Sequence, residues 1–506
     1  MNKWITLSEG WELLPTLNGL ELRKGERSID IESESERDLA YLSRVLSGQQ
    51  KVTSAVNQEI SKTLAQLKGI GAVSFGKTKP SKSKGLSVKS RLRTLREAFV
   101  GKGSYIPVVH NTSQEMSSFN LGGNHLFSAK YLNVLGEEDF SAGFSSSKVR
   151  AEIKAIMEAL ERVASGIVPK EKLLNASAKE LGGSALDPRS VVTYKNLQYD
   201  KGLPFKRYDP KARYFWKSVV KLASGKEFYL PVELLYYPIL KAVTPRLYTY
   251  SNSSGVAGGF SFESSLIGGL FEAIERDAYM ITWVNRISHP LIRRDCLSSD
   301  QNAKVERIKS VGYEVHLVNM TMDLTPVVLA VAVSESGQTC LLLGMSSRPT
   351  LSSAIGRALD ELEQQLYWDF RKDHTVYTLK DPTKVQSTED HAALYASSTH
   401  LRKAEFLWSG KPENPNKGGD EKFQRLDNLV ELLKTRDVET YALDLTPPDM
   451  KEAGVHIIRA IPQGLVPISF GYGTEALGMR RLATVPKATG LSKKSWQNGV
   501  FTHPFA

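Results

Sequence analysis

Two segments far apart in the chain carry the same set of side chains able to do chemistry. Glu158, Glu161 and Arg162 close the run Ala155–Arg162 (AIMEALER), and Glu272, Glu275 and Arg276 close Gly269–Arg276 (GLFEAIER). Both read Glu-x-x-Glu-Arg within apolar, helical stretches. Residues three and four apart share a helix face, so each helix groups its carboxylates and guanidinium. Carboxylate oxygens hold hard cations, and arginine takes phosphate oxygens in pairs. Two such helices aimed into one cleft suit a polyphosphate carried with metal ions. A third run, Arg357–Gln364 (RALDELEQ), puts Arg357, Glu361 and Gln364 on one face. One helix of this kind alone is an amphipathic surface helix with an internal ion pair. Three in one chain call for a shared purpose.

These side chains need elements to hold them. Val149, Ile153, Ile156 and Leu160 form an apolar stripe beside the first motif, which predicts a helix over 147–165. Leu266, Ile267, Leu270 and Ile274 do the same for a helix over 261–283. Gly268 and Gly269 weaken that helix unless something must approach it closely. Further helices are expected over 352–370 and 422–433, and strands over 228–231, 312–318, 327–333 and 339–343. Apolar strands alternating with long helices predict a mixed fold, α+β or α/β, for a large domain over 96–506. Residues 79–95, rich in Lys, Ser and Gly, read as a flexible basic linker. The first 78 residues form a separate small unit. Leu20 and Leu22 alternate against Ile29 and Ile31 around Arg23–Glu26, a hairpin signal. Helical stripes follow at Leu39, Leu42, Val45 and Leu46 and at Ile60, Leu64 and Leu67, then a short strand over 70–75.

The bulk composition sets bounds. At 506 residues with 41% hydrophobic and 24% charged residues, the chain is ordinary globular protein, large enough for more than one domain. Its net charge of +11 favours anionic partners such as a nucleotide, nucleic acid or acidic peptide. Cys296 and Cys340, the two cysteines, make neither a metal spacing nor a disulfide framework, which fits a reducing cytosol. The opening Met1-Asn2-Lys3-Trp4 has no apolar signal core and no apolar run reaches membrane-spanning length, so a cytoplasmic protein without a membrane partner is expected. The nine histidines are scattered without paired ligand spacing, which argues against zinc chemistry. Gly71–Thr78 matches a P-loop pattern, but Lys79-Pro80-Ser81 cannot open the helix whose amides would hold phosphate.

In order, the three helices resemble the YcaO family. The resemblance covers 101 to the C-terminus: Glu158–Arg162, a Gly-rich entry from Tyr250 through Gly259 into Glu272–Ala278, Arg357–Gln364, Phe228–Val232, Ile461–Pro467 and the tail His503-Pro504-Phe505. It implies an enzyme that uses ATP and Mg2+ to activate a backbone amide of a ribosomally made precursor peptide. A Cys, Ser or Thr side chain attacks the amide carbon, and an azoline results, as in bacteriocin-like products; thioamide or amidine formation is a variant. By motif position, Glu158, Glu161, Glu272, Glu275 and Glu361 would hold metal-bound phosphate, with Glu272, Glu275 and Glu361 at the catalytic centre. Arg162, Arg276, Arg357 and Gln364 would take phosphate oxygens, joined by Lys154. The free carboxylate of Ala506 would end an active-site tail. The N-terminal unit resembles a winged-helix module that binds leader peptides, with Ser28, Ile29, Asp30 and Ile31 as the strand that receives the leader. A partner modifying protein, a flavin dehydrogenase acting elsewhere and a tendency to form homodimers complete the implied partners.

The chain departs from the family pattern in its tail, which ends Thr502-His503-Pro504-Phe505-Ala506 where peptide cyclodehydratases of the family often end Pro-x-Pro-x-Pro, and at three further positions. Lys154 replaces a usual Ser, Ser264 a usual carboxylate and Phe260 a frequent Asn. These motivate a second reading, a scaffold with a degenerate ATP site that binds the precursor and activates a partner enzyme. A third, a DNA-binding regulator, rests on winged-helix shape and net charge. Glu34, Glu36, Asp38 and Glu59 along its helices argue against docking on phosphates.

Overall fold

The structure is a computed structural model. It describes residues 87–506 apart from 116–123, 170–171, 240–246, 251, 335–338, 370–375, 415–418, 498 and 506, and before residue 87 only the course of five strands. The chain divides into two compact units, Met1–Arg91 and Leu92–Ala506.

In the first unit, β1 (Trp4–Leu7) pairs antiparallel with β5 (Val73–Gly76), which lies inside the P-loop-like match. β2 (Glu12–Thr16), β3 (Gly19–Lys24) and β4 (Arg27–Glu32) form an antiparallel sheet in that order. Lys24 faces Arg27, leaving Gly25 and Glu26 between β3 and β4, as the alternation predicts. Among the described residues, Ser28–Ile31 therefore lie on an edge strand. The two helical stripes expected over 39–46 and 60–67 lie outside the described residues.

Helix α1 (Val88–Phe99) begins inside the stretch read as linker. The second unit then assembles three sheets, each carrying one motif helix. β6 (Val108–Asn111), β7 (His125–Leu132) and β8 (Glu138–Ser145) form a meander that packs on α2 (Lys148–Gly166). A six-stranded sheet is built from β9 (Leu174–Ser177), β10 (Arg213–Lys221), β11 (Glu227–Pro231), β12 (Val256–Gly259), β18 (Glu439–Asp444) and β19 (His456–Gln463). Helix α3 (Phe262–Asn285) covers its β12–β19 edge. A five-stranded sheet has the order β16 (Leu341–Ser347), β15 (Val327–Val333), β14 (Glu314–Asn319), β13 (Leu291–Ile292), β17 (Pro412–Glu413). It carries α5 (Leu351–Asp369), which α4 (Ser299–Ser310) flanks. Among the described residues every strand ladder except β13–β17 is antiparallel. The mixed fold is thus α+β, with connections that need no parallel crossovers.

Local sequence explains these elements. Val327–Ala332 are buried without a break, as befits an apolar run rich in valine with no polar face. Ser147 and Ser261 cap α2 and α3 by accepting the N–H of Arg150 and Ser264. On α2, Ile156 and Leu160 are fully buried while Val149 and Ile153 are half-covered, so the opposite ridge is left for the motif. The two helix glycines meet their expected close neighbour. A Cβ on Gly269 would stand 2.4 Å from the carbonyl oxygen of Gly255, itself at φ +82°.

Candidate active site

The motif faces of the three helices meet as a ring. On α2 the ridge Lys154–Glu158–Glu161–Arg162 spans two neighbours. Its Arg162 end faces Glu272 of α3, and its Lys154 end faces Arg357, Asp360 and Glu361 of α5. Glu275 of α3 closes the ring by facing Glu361. All five predicted carboxylates and all three predicted arginines therefore belong to one constellation. Gln364 follows Glu361 by one turn on the same face and is half-buried.

Each of the five carboxylates accepts a backbone N–H from a strand or loop beside its helix. Ala142 of β8 donates to Glu158 at 3.3 Å, Gly258 of β12 to Glu161 at 2.7 Å, and Gly255 to Glu272 at 3.0 Å. Ser347 at the end of β16 donates to Glu275 at 3.2 Å, and Met345 to Glu361 at 3.3 Å. The helix fixes where each carboxylate starts, and the strand amide fixes where it points. The glycines serve this arrangement: a Cβ on Gly258 would press on Met157 and on Oε1 of Glu161 at 2.8–2.9 Å.

The cations are placed by ion pairs one helical turn away. Arg162 reaches Glu158 at 3.4 Å and donates to Ser253. Arg276 reaches Glu272 at 3.5 Å and Glu275 at 3.6 Å, and Arg357 reaches Glu361 at 3.4 Å. Burial opposes charge on Arg162, but Glu158, Tyr131, Glu161 and Glu272 outweigh it and raise its pKa. Burial pushes the Glu161 carboxyl up to about 8, helped by Glu158. Glu275 is also pushed up to about 8 by burial, against the pull of Arg276. Burial lowers Lys154 to about 8, with Arg357 adding to the effect, and its ammonium donates to the Phe144 carbonyl at 2.8 Å.

Two further cations join the ring that no motif marked. Arg348 follows β16, with Arg357, Glu361 and Glu275 as its charged neighbours; burial lowers its pKa. Arg459 of β19 is buried, feels Glu272 and donates to the Asn252 carbonyl at 2.9 Å; burial lowers it to about 10. A lone Arg at a strand end or inside a strand has no spacing signal, so only the pairing of β12 with β19 and of β15 with β16 brings them in.

A cleft of about 760 Å³ opens on the α2–α3 corner. Glu158, Arg162, Glu272, Arg276 and Arg459 line it, while Tyr194, Phe205, Tyr250 and Phe470 form a more apolar part. Glu161, Glu275, Lys154, Arg357, Glu361 and Gln364 lie outside its lining. Among the described residues no three His, Cys, Asp or Glu side chains stand together as a metal group, so the five carboxylates are spread around the ring. Mg2+ needs only one or two protein carboxylates when phosphate oxygens and water complete its shell, so this spacing suits a metal that arrives with a nucleotide. Buried donors point the same way. Nε and Nη1 of Arg276 and Nε of Arg357 have no hydrogen-bond acceptor, which a phosphate would supply.

The substituted positions have local roles. Ser264 bonds within the α3 cap to Ser261, and Phe260 packs half-buried against the core. The tail does reach the ring: Phe505 is buried and lies under the Arg276 guanidinium. Ala506 is outside the described residues. No helix among the described residues is long and apolar enough to cross a membrane.

Comparison with known proteins bears on the fold and the family. Residues 142–466, more than half of the chain, match the family described as YcaO cyclodehydratase, ATP- and Mg2+-binding. An uncharacterized protein of Methanothermobacter thermautotrophicus is 26% identical over 400 residues, covering 76% of this chain and 96% of its own length. Among solved structures, a heterocyclase in complex with substrate and cofactor is similar in fold at a TM-score of 0.63 and 18% identity. It covers 80% of this chain, which spans only 55% of that protein's length. The YcaO protein of Methanopyrus kandleri, bound with AMPPCP and Mg2+, has a TM-score of 0.55 at 19% identity, covering 75% of this chain and 91% of its own. With ATP and Mg2+ as its cofactors and the three motif helices set in a ring, the chain belongs to the YcaO family.

Proposed function

We propose that the chain uses ATP to cyclodehydrate Cys, Ser or Thr residues of a ribosomally made precursor peptide to azolines. The observation that carries this reading is the ring itself: five carboxylates, each aimed by a backbone N–H, among cations of which Arg276 and Arg357 have buried donors without acceptors. An amide oxygen is a poor leaving group and phosphate a good one. Addition of the side-chain thiol or hydroxyl to the amide carbon breaks the C=O π bond and leaves an oxyanion. ATP supplies the phosphoryl group that this oxyanion takes, and loss of phosphate with the amide proton forms the C=N bond. In that scheme Glu158, Glu161, Glu272, Glu275 and Glu361 hold the metal-bound phosphates. Arg162, Arg276, Arg357 and Gln364 orient phosphate oxygens and stabilise charge on the transferring group. The apolar wall of Tyr194, Phe205 and Phe470 borders the same cleft and excludes water from one side of it.

In the N-terminal unit, the edge strand β4 would receive the leader segment as an added strand through Ser28–Ile31. A partner modifying protein and a flavin dehydrogenase that oxidises azolines belong to the same reading.

The test is mass spectrometry of a precursor peptide encoded beside the gene, incubated with the chain and Mg2+-ATP. Loss of one water per ring, matched by phosphate release, is the expected result. A sulfur-for-oxygen exchange would point to thioamide formation. Peptide bound but unmodified, with no phosphate released, would overturn the enzymatic reading in favour of a scaffold.

A further inference from the structure

The cleft on the α2–α3 corner holds more than motif side chains. Five carboxylates and three guanidinium groups line it. The guanidinium groups are all engaged with the motif end: Arg162 pairs with Glu158, Arg276 with Glu272, and Arg459 donates to the Asn252 carbonyl. The three carboxylates that no motif contains, Glu137, Asp139 and Glu389, are exposed. Among the described residues they accept only from neutral donors. Glu137 takes the Asn133 side-chain amide at 3.1 Å, Asp139 the Tyr131 hydroxyl at 2.8 Å and its neighbour's N–H, and Glu389 the Thr388 hydroxyl at 3.0 Å. Glu137 and Asp139 stand two apart where β8 begins, so they share a face. In a chain of net charge +11, this end of the cleft repels phosphate and attracts a cationic group. It is also apolar. Leu135, Tyr237 and Tyr250 line the cleft while 46%, 37% and 57% exposed. Tyr250 meets Phe205 edge-on at 4.9 Å, and Phe205 meets Tyr194 at 5.3 Å, which makes one continuous aromatic surface. Exposed apolar side chains with a rim of one charge mark a site for a partner of complementary character. A nucleotide brings the wrong charge to that rim. A peptide with basic and apolar side chains meets both demands, since a Lys or Arg stem lies on aromatic rings while its head reaches the carboxylates.

We propose that this end of the cleft is a peptide subsite that selects basic and apolar residues flanking the Cys, Ser or Thr to be modified, with Glu137, Asp139 and Glu389 reading the basic side chain and Tyr250 the apolar one. This rests on the reading of the chain as a peptide-modifying enzyme, and adds which sequences around the modified residue it takes. One cleft carries both ends, so a peptide seated by its flanking residues presents the residue between them to the motif end.

The experiment is fluorescence anisotropy of labelled, end-capped pentapeptides on the full chain: Lys-Phe-Cys-Phe-Lys, Glu-Phe-Cys-Phe-Glu and Lys-Gly-Cys-Gly-Lys. Their symmetry makes the result independent of chain direction. Wild type should bind the first roughly threefold to thirtyfold more tightly than the second, the worth of one or two exposed ion pairs. Added salt should shrink that preference. The double variant Glu137→Gln/Glu389→Gln should lose most of it while binding a non-hydrolysable ATP analogue with Mg2+ as wild type does. Tyr250→Ser should weaken the Phe peptides and leave the Gly peptide unchanged. Thermal melting checks that each variant is folded. Equal affinities, no binding at millimolar peptide, or a preference that survives the double variant would overturn the proposal. So would displacement of the peptide by the ATP analogue, which would give the aromatic surface to the nucleoside. Peptides sorted as expected by a chain that binds no ATP analogue would sustain the subsite and overturn the ATP-using reading alone.

Discussion

The guanidinium of Arg276 lies over the ring of Phe505, 4.3 Å from its centroid, so the C-terminal tail closes on the motif face of α3. The tail is threaded to reach it. Trp283 donates to the Phe501 carbonyl, Tyr395 to the Thr502 carbonyl, and the His391 and His503 rings lie tilted against each other at 4.2 Å. Phe505 also packs on Tyr279, which lies one turn along α3 from Arg276. Tail and motif helix are thus packed together although they are far apart in sequence. Phe505→Ala should lower kcat/KM for ATP roughly threefold to thirtyfold, the worth of a partly buried cation–π contact. Steady-state phosphate release on folded protein checks this, and Phe505→Tyr should retain most of the activity.

Glu272 is the carboxylate that separates charge from shape most cleanly. It accepts the Gly255 N–H, and a Gln oxygen could accept the same bond. Glu272→Gln should therefore fold and melt like wild type yet lose at least about a hundredfold in ATP hydrolysis, because its charge toward Arg276 and toward the metal it is proposed to hold is gone. Hydrolysis at the wild-type rate would remove Glu272 from the site.

The approach of Gly255 to α3 sets the direction of that same N–H. Gly269→Ala would place a methyl group 2.4 Å from the Gly255 carbonyl oxygen, backbone against backbone. A loss of about 1–3 kcal/mol in urea unfolding is expected, with nucleotide affinity falling too. An unchanged midpoint and affinity would mean that the loop yields freely.

The buried carboxyls make a pH prediction with a definite sign. Folding raises Glu161 and Glu275 from their ordinary value to about 8, chiefly through burial. The folded state then binds protons that the unfolded chain has released. Their stabilising contribution is complete below the ordinary glutamate range and is lost as pH rises through about 8. The melting temperature of the ligand-free protein should therefore fall between pH 5 and pH 8.5. Glu161→Gln, which keeps an acceptor for the Gly258 N–H, should flatten that slope.

What the sequence determined by itself was local. The helices over 147–165, 261–283 and 352–370 were legible because amphipathic helices write a 3.6-residue period into a short window, and they stand at 148–166, 262–285 and 351–369. Val327–Val333 was legible as a buried strand because both of its faces are apolar. The motif spacing likewise placed each Glu–Arg pair on one face. Everything that joins these pieces is tertiary. Which amide holds which carboxylate depends on β8, β12 and β16 lying beside helices that belong to three different sheets. Arg348 and Arg459 enter the ring through strand pairing, with no periodicity to mark them. The lowered pKa of Lys154 and the raised pKa of Glu161 arise from burial among neighbours remote in the chain. Spacing along one helix encodes only the geometry of that helix. The distances between helices, and therefore charge, burial and the site, exist only once long-range packing has brought them together.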